Sequence, residues 1–382
     1  MNSKRELFNI PRDFAYLNTA YFGCFSNKTT EIAVQSAKLK AQPWNITIPD
    51  FYTDAEKART LFSRLINTSE DNIAIISSAS YGFALAAKNI NLSSSDTILL
   101  LSEQFPSNYY IWEEQSRITG ATLSIVPRPE NDDWTSAVIN KIETDKSIKL
   151  ISLENIHWTD GGYVDLKIIS QKLKGTNIKL LIDGTQSVGA LPTDVAEINP
   201  DFLVVSGYKW LLGPYNLGFC YISPEFHEHG QPLEHWWGSK VGSADVTTLT
   251  DYPQEFYHGA RKFDFGHRGN FHLLPAMINA LEEILDWGVK NIYNYISELN
   301  KNIIDSVSSV GIVPIEEQYR AGHYLGLRFP RKVPKDFTKH LASNNVSASV
   351  RGKYSLRVTP NVWVDEQDID KFNNTVKSYF DK

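Results

Sequence analysis

A chain of 382 residues, 42% of them hydrophobic, 21% charged and 12% aromatic, has the composition of a globular protein, and length scaling divides it into roughly two domains. Its net charge of -6 comes from acids and bases scattered along the whole sequence, so no basic stripe offers nucleic acid a counterion-releasing surface. No run approaches the length needed to cross a bilayer, the start MNSKRELFNIPRDF lacks the apolar core of a secretory signal, and the widely separated Cys24 and Cys220 argue against a disulfide framework, so a cytoplasmic location is expected.

Residues 51–66 read as an amphipathic helix, 72–76 as a short strand and 81–88 as the beginning of a helix. Short β-branched or Leu-rich runs then recur at 97–102, 122–126, 148–153, 178–183, 202–206 and 217–222, separated by helix-like spacers. This is the rhythm of an α/β sheet, mostly parallel and covered on both faces. Residues 225–258, rich in Gly, Pro, Trp and His, read as a long irregular connection, a kind of segment that is often functional. Within it HEHGQPLEH carries His227, His229 and His235, but the spacing fits no helix-borne metal pattern and no carboxylate or cysteine set completes it, so a solvated loop without metal is expected. Beyond about residue 255 a long helix at 274–304, interrupted at Gly288, leads to strand-like pieces at 323–329 and 347–358 and a last helix at 365–380. The expected division is a large α/β domain over 15–255 and a smaller α+β domain over 256–382, joined by residues 1–14.

In an open α/β sheet, ligands bind beyond the carboxyl ends of the strands, which singles out 77–80, 103–108, 157–160, 183–186 and 206–209. Asp183 ends one apolar run and Lys209 follows the next, so the two side chains are placed to converge over neighbouring strand ends. An acid and a lysine at that address suit pyridoxal phosphate: the amine condenses with the cofactor aldehyde, and the carboxylate keeps the pyridine nitrogen protonated so that the ring accepts electrons. Alone, the pair reads equally as a salt bridge or a snorkelling lysine.

The surrounding residues add a resemblance. IDGTQSVGALPTDV followed by PDFLVVSGYKWLLGPYNLGFCYIS resembles the core of the class V aminotransferase group of fold type I enzymes, which includes cysteine desulfurases, selenocysteine lyases, kynureninases and isopenicillin N epimerase-like proteins. The similarity extends in order through YLNTAYFG, FPSNYYIW, HWTDGGYVDL, GARKFDFGHRGNF and LRVTPNVWVDEQDID, spanning nearly the whole chain. It implies a fold type I architecture, with a mostly parallel large-domain sheet and a smaller α+β C-terminal domain. It also implies roles for particular residues. Lys209 would form the Schiff base, Asp183 would pair with the pyridinium, and Gln186 would donate to the phenolate oxygen. The phosphate would sit at the helix start on Ala79 and Ser80, with hydroxyls from Ser206 and Tyr208; for Ser80 the plain alternative is an N-cap. Phe105 would stack on the ring, the alternative being a core phenylalanine. His157 would lie beside the cofactor, and Thr159 falls near where desulfurases have an asparagine that contacts cofactor and substrate. Asn270 and Trp236 would reach the phosphate of a second subunit, implying a homodimer. Arg357, with Arg351 as a second candidate, would bind the substrate carboxylate.

One departure from the pattern stands out. SVRGKYSLRV has no cysteine where persulfide-forming desulfurases carry one, and Cys24 reads as a buried thiol without a role. The expectation is therefore an enzyme acting on an amino acid through a lysine Schiff base and quinonoid, of the selenocysteine/cysteine lyase type without a persulfide cysteine. An aminotransferase, an epimerase, a kynureninase-like hydrolase and a non-catalytic binding or regulatory protein of the same fold stay open.

Overall fold

The computed structural model describes residues 1–380. Thirteen strands are named in chain order: β1 (Ala15–Tyr16), β2 (Ile73–Ile76), β3 (Thr97–Leu101), β4 (Thr122–Val126), β5 (Ile148–Glu154), β6 (Lys179–Asp183), β7 (Phe202–Ser206), β8 (Gly218–Ile222), β9 (Val313–Pro314), β10 (Leu325–Arg328), β11 (Val346–Ser347), β12 (Ser349–Arg351) and β13 (Ser355–Val358). Seven of them form one sheet in the order β2-β8-β7-β6-β5-β3-β4. Every residue of β2, β3, β7 and β8 is buried, which explains why their sequences are unbroken apolar runs rather than alternating ones: both faces are covered. Successive side chains point to opposite faces. Ile75, Leu99, Leu153, Ile182, Val205 and Phe219 belong to one core, and Ala74, Ile98, Leu150, Leu181, Val204 and Cys220 to the other.

The pairs β7–β6, β6–β5, β5–β3 and β3–β4 are parallel, whereas β8 runs antiparallel to both β7 and β2. The sequence reading expects a helix-like spacer before β8. The structure instead has a loop of turns over 207–217, and a connection of that length closes only an antiparallel pair. The loop is drawn against the helix Leu274–Trp287: a Cβ on Gly207 would stand 2.2 Å from Met277 Cε, and one on Gly213 2.4 Å from the same atom. That tight seat holds the segment bearing Lys209 against the end of the sheet.

Edge strand β2 is closed off from further pairing. The Ile75 amide donates to Asp264 Oδ1 at 2.7 Å, and the Phe265 amide donates to the Ile75 carbonyl. Asp264 is fully buried and paired with Arg59 at 2.8 Å and Arg268 at 2.5 Å.

After residue 255 the expected long helix is two, Leu274–Trp287 and Val289–Val307, broken where Gly288 adopts φ +78°. The piece expected as one strand over 347–358 is a hairpin of β12 and β13 turning at Gly352, φ +61°, within an antiparallel sheet of order β12-β13-β10-β9. β1 pairs in parallel with β11, and beyond it the Thr19 amide donates to Thr359 O, so the N-terminal segment lies along the C-terminal strands. This lays residues 20–23 beside Lys209. The Gly23 amide donates to Tyr208 O at 2.9 Å, and a Cβ on Gly23 would lie 2.2 Å from Lys209 O. Among the described residues no helix is long and apolar enough to cross a membrane.

Candidate active site

The carboxyl ends of β2, β3, β5, β6 and β7 open on one side of the sheet, and each delivers polar groups to a common cavity. Ala79, Phe105, Glu154, Trp158, Asp183, Thr185, Gln186, Ser206, Tyr208 and Lys209 line it. Nine of these ten, all but Glu154, fall in the strand-end segments singled out from sequence, so residues far apart in the chain converge as the strand-end argument requires.

Lys209 is 6% exposed, and its Nζ lies 5.3 Å from the Phe105 ring centroid and 5.6 Å from that of Tyr208. Burial drives its pKa down to about 8; Asp183 opposes the shift and Arg357 adds to it. Asp183, also buried, is raised from its ordinary value by desolvation, an effect countered by the Thr185 hydroxyl and by the Thr185 amide at 3.0 Å. Gln186 is fixed at both ends of its amide: Oε1 accepts from Trp210 Nε1 at 2.9 Å and Nε2 donates to Ala20 O at 3.3 Å. The Ser206 amide donates to Thr185 Oγ1 at 3.2 Å, tying the ends of β6 and β7 together.

The helix at the mouth of β2 spans Ala79–Asn89, earlier than the expected start at 81, and Ser78 is its N-cap, accepting from the Tyr81 amide. Ser80 is therefore an exposed first-turn residue rather than the cap. The amides of Ala79 and Ser80, having no preceding helical carbonyl, are left at the positive end of the helix.

Glu154 was not anticipated. It ends β5 directly opposite Asp183 in the parallel register, is 2% exposed, and accepts from the amides of Phe105 at 2.7 Å and Trp158 at 2.9 Å. Burial, and then the neighbouring Asp183, raise its carboxyl well above the ordinary value. One side chain thus holds the two aromatic walls of the cavity, whose rings meet edge to face at 5.5 Å. Its signal was an acid closing an apolar run. Trp158, rather than the flagged His157 or Thr159, turns into the cavity. The His157 ring is fully buried behind it, stacked 5.1 Å from Trp134 and hydrogen-bonded to Thr159 Oγ1 and Ser102 O. Thr159 Oγ1 also accepts from Arg128.

A second compartment of 310 Å³ adjoins the first, sharing Phe105, Trp158, Tyr208 and Lys209 and adding Ala20, Tyr21, Phe22, Tyr215, Arg351 and Arg357. Arg357 is 2% exposed; Nε donates to Ser349 Oγ at 3.2 Å and Nη1 to Trp158 O at 3.3 Å, while Nη2 is buried without a partner. Arg351 donates from Nη1 to Val350 O, keeps a buried unpartnered Nε, and lies 5.8 Å over the Trp158 ring. Larger hollows of 670 and 800 Å³ lie elsewhere, the first beside Lys179 at the amino end of β6.

Asn270 and Trp236 stand outside both compartments in the single chain. Asn270 Oδ1 accepts from the amides of His272 and Leu273, and Trp236 packs on Trp237 beneath the Arg268 guanidinium. The Cys24 thiol is pushed up to about 12 by burial, which makes it a poor nucleophile. His227 is bonded to the Ile222 carbonyl, and among the described residues no three His, Cys, Asp or Glu side chains gather to hold a metal.

A mostly parallel sheet that converges a buried lysine, a buried acid and an aromatic wall at its carboxyl ends defines a pyridoxal-phosphate enzyme of fold type I. The sequence matches Aminotransferase class-V over residues 47–363, and the chain belongs to that family. An uncharacterized aminotransferase of Schizosaccharomyces pombe is 24% identical over 334 residues, covering 86% of this chain and 83% of the relative. A probable cysteine desulfurase of Methanothermobacter thermautotrophicus is 25% identical over 256 residues, covering 67% and 62%. Among solved structures, a lysine-to-alanine mutant of C-DES with glycine covalently linked to its pyridoxal phosphate superposes with a TM-score of 0.85 at 16% identity, covering 98% of both chains. The cofactor of this enzyme is pyridoxal 5'-phosphate. The residues present fit it: a buried amine with a depressed pKa, a buried acid one strand away, unpaired helix-start amides beside two hydroxyls, and a ring wall.

Proposed function

We propose that this enzyme acts on an amino acid as a lyase of the selenocysteine/cysteine lyase type that uses no persulfide cysteine. The observation carrying the reading is the pairing, in adjoining compartments, of a buried amine at Lys209, its pKa lowered by burial, with a buried guanidinium at Arg357 that has an N–H to spare. When bound, pyridoxal phosphate supplies an aldehyde that takes up the substrate amine and a protonated ring that draws electrons from its α-carbon. Lys209 would hold the cofactor, and its amine would be the group placed to take the α-proton; with its pKa lowered to about 8, a larger share of it is neutral at neutral pH than of an ordinary lysine. Asp183, held by Thr185, would pair with the ring nitrogen and keep it charged, and Gln186, fixed by Trp210, would donate to the phenolate oxygen. The Ala79 and Ser80 amides with Ser206 and Tyr208 take the phosphate. Arg357 takes the substrate carboxylate and so orients the α-carbon toward Lys209. Phe105 and Trp158 exclude water from the reacting face. Asn270 and Trp236 would complete the phosphate site of a second copy in a homodimer.

The absence of cysteine from 349–358 and the high pKa of Cys24 support elimination without sulfur relay. The test is to incubate holoenzyme with L- and D-amino acids, including cysteine, selenocysteine and kynurenine, with and without a 2-oxo acid, and to identify every product. Keto acid and ammonia released without an acceptor support the lyase. Strict dependence on the acceptor makes the enzyme an aminotransferase, and inversion without release an epimerase.

A further inference from the structure

The second compartment holds more positive charge than one carboxylate neutralises. Its ten lining residues include Arg351, Arg357 and Lys209 and no acid. Lys209 feels the charges of Asp183 and Glu154, but among the described residues neither guanidinium has a carboxylate partner. Arg357 rests on neutral oxygens of Ser349, Trp158 and Tyr324, and Arg351 on the carbonyl of Val350. Each guanidinium keeps one buried N–H unpaired, Nη2 on Arg357 and Nε on Arg351. The two also repel: Arg357 is among the groups that lower the pKa of Arg351, after burial.

Their placement on the β12–β13 hairpin separates them. Ser349 pairs with Arg357 and Arg351 with Ser355, so the two arginines are diagonal neighbours on one face. Diagonal positions in an antiparallel pair lie about 7–8 Å apart. That spacing suits two anionic groups a few carbons apart better than a shared grip on one carboxylate. A guanidinium is the side chain that reads a planar acid with paired donors, and a buried one without an acceptor is costly to maintain unless a ligand provides it. The remaining walls, Tyr21, Phe22, Tyr208 and Tyr215, offer ring faces and hydroxyls and no competing charge.

We infer that the substrate carries a second negative charge on its side chain, at the β or γ position, and that Arg351 is the residue that selects it while Arg357 takes the α-carboxylate. The inference rests on the amino-acid reading above and, for a lyase, narrows the substrate to amino acids whose side-chain leaving group is itself anionic; aspartate and glutamate serve below as probes of the charge.

The experiment has two arms. In the first, holoenzyme is titrated with L-aspartate and L-glutamate and with their amide isosteres L-asparagine and L-glutamine, following the cofactor's visible absorbance. The acidic members should bind about tenfold more tightly or better, and R351Q should bring that ratio close to one while leaving the amides within about threefold of wild type. In the second, calorimetry compares glutarate with butyrate on the same proteins, a readout that requires no reaction. Glutarate should be preferred by wild type and not by R351Q. Equal affinities for acids and amides in wild type overturn the inference, and so does an R351Q variant that weakens all ligands alike, which would assign Arg351 to the α-carboxylate. If neither these four nor the wider panel of amino acids perturbs the absorbance, the amino-acid reading itself fails, while the calorimetric arm still decides whether two anions bind.

Discussion

Replacing Glu154 by alanine tests how the two aromatic walls are held. The carboxylate accepts two amides, from Phe105 at 2.7 Å and Trp158 at 2.9 Å, and nothing else in the structure replaces it. Leaving a buried donor unpaired costs about 1–3 kcal/mol, but Phe105 and Trp158 are only half-buried and water reaches part of the vacated space. Removing a buried acid next to Asp183 also relieves repulsion, so the net loss expected is about 2 kcal/mol. Glu154→Gln keeps one accepting oxygen and sets an NH2 group against the other amide, and should lose about half as much. The pH dependence has a definite sign. The carboxyl of Glu154 is raised in the folded state, so its contribution is fully present below the ordinary glutamate pKa and is lost as pH rises through the folded value. Glu154→Gln should flatten that part of the stability profile. Urea unfolding at several pH values, with an unchanged m-value, measures both effects. A Glu154→Ala protein within about 0.5 kcal/mol of wild type, with an unaltered cofactor spectrum, would refute the idea that this carboxylate sets the walls.

Two further predictions follow from buried charges. Asp264→Ala strands Arg59 and Arg268 in the core beside β2 and should cost about 3–5 kcal/mol, read as the urea midpoint; a loss below about 1 kcal/mol would contradict the burial of that cluster. In cofactor-free protein Lys209 should react with trinitrobenzene sulfonate along a pH curve centred at about 8, well below the 10.5 of an ordinary lysine, as followed by peptide mass spectrometry. Because the folded pKa is the lower one, the unfolded chain binds the extra proton, and the same protein should gain stability as pH rises from about 8 towards 10.5; a midpoint near the ordinary value would remove the case for a pre-formed base.

The sheet was legible because strands buried on both faces carry unbroken apolar runs, and the lysine–acid pair because Asp183 closes one such run and Lys209 follows the end of the next. Glu154 escaped notice because an acid after a run of leucines and isoleucines reads as surface; only the register that sets it opposite Asp183 shows it to be buried. His157 and Thr159 were flagged in place of Trp158 because the turn over 157–160, closed by the Gly161 amide on His157 O, decides which side chain faces inward, and no periodicity extends through a turn. Tyr21 and Phe22 reach the site through pairing between β1 and β11, a contact between residues more than three hundred positions apart that local patterns do not encode. The hairpin in 347–358 was hidden because Gly352 was read as part of a strand, whereas its positive φ makes it the turn.

The central claim is that Lys209 carries the cofactor. Reduction of purified holoenzyme with borohydride, followed by proteolysis and mass spectrometry, tests it most directly. The account predicts a phosphopyridoxyl group on the peptide containing Lys209 and on no other, and loss of that label in Lys209→Ala. A label on a different lysine, or a Lys209→Ala protein that is still covalently labelled, would contradict it.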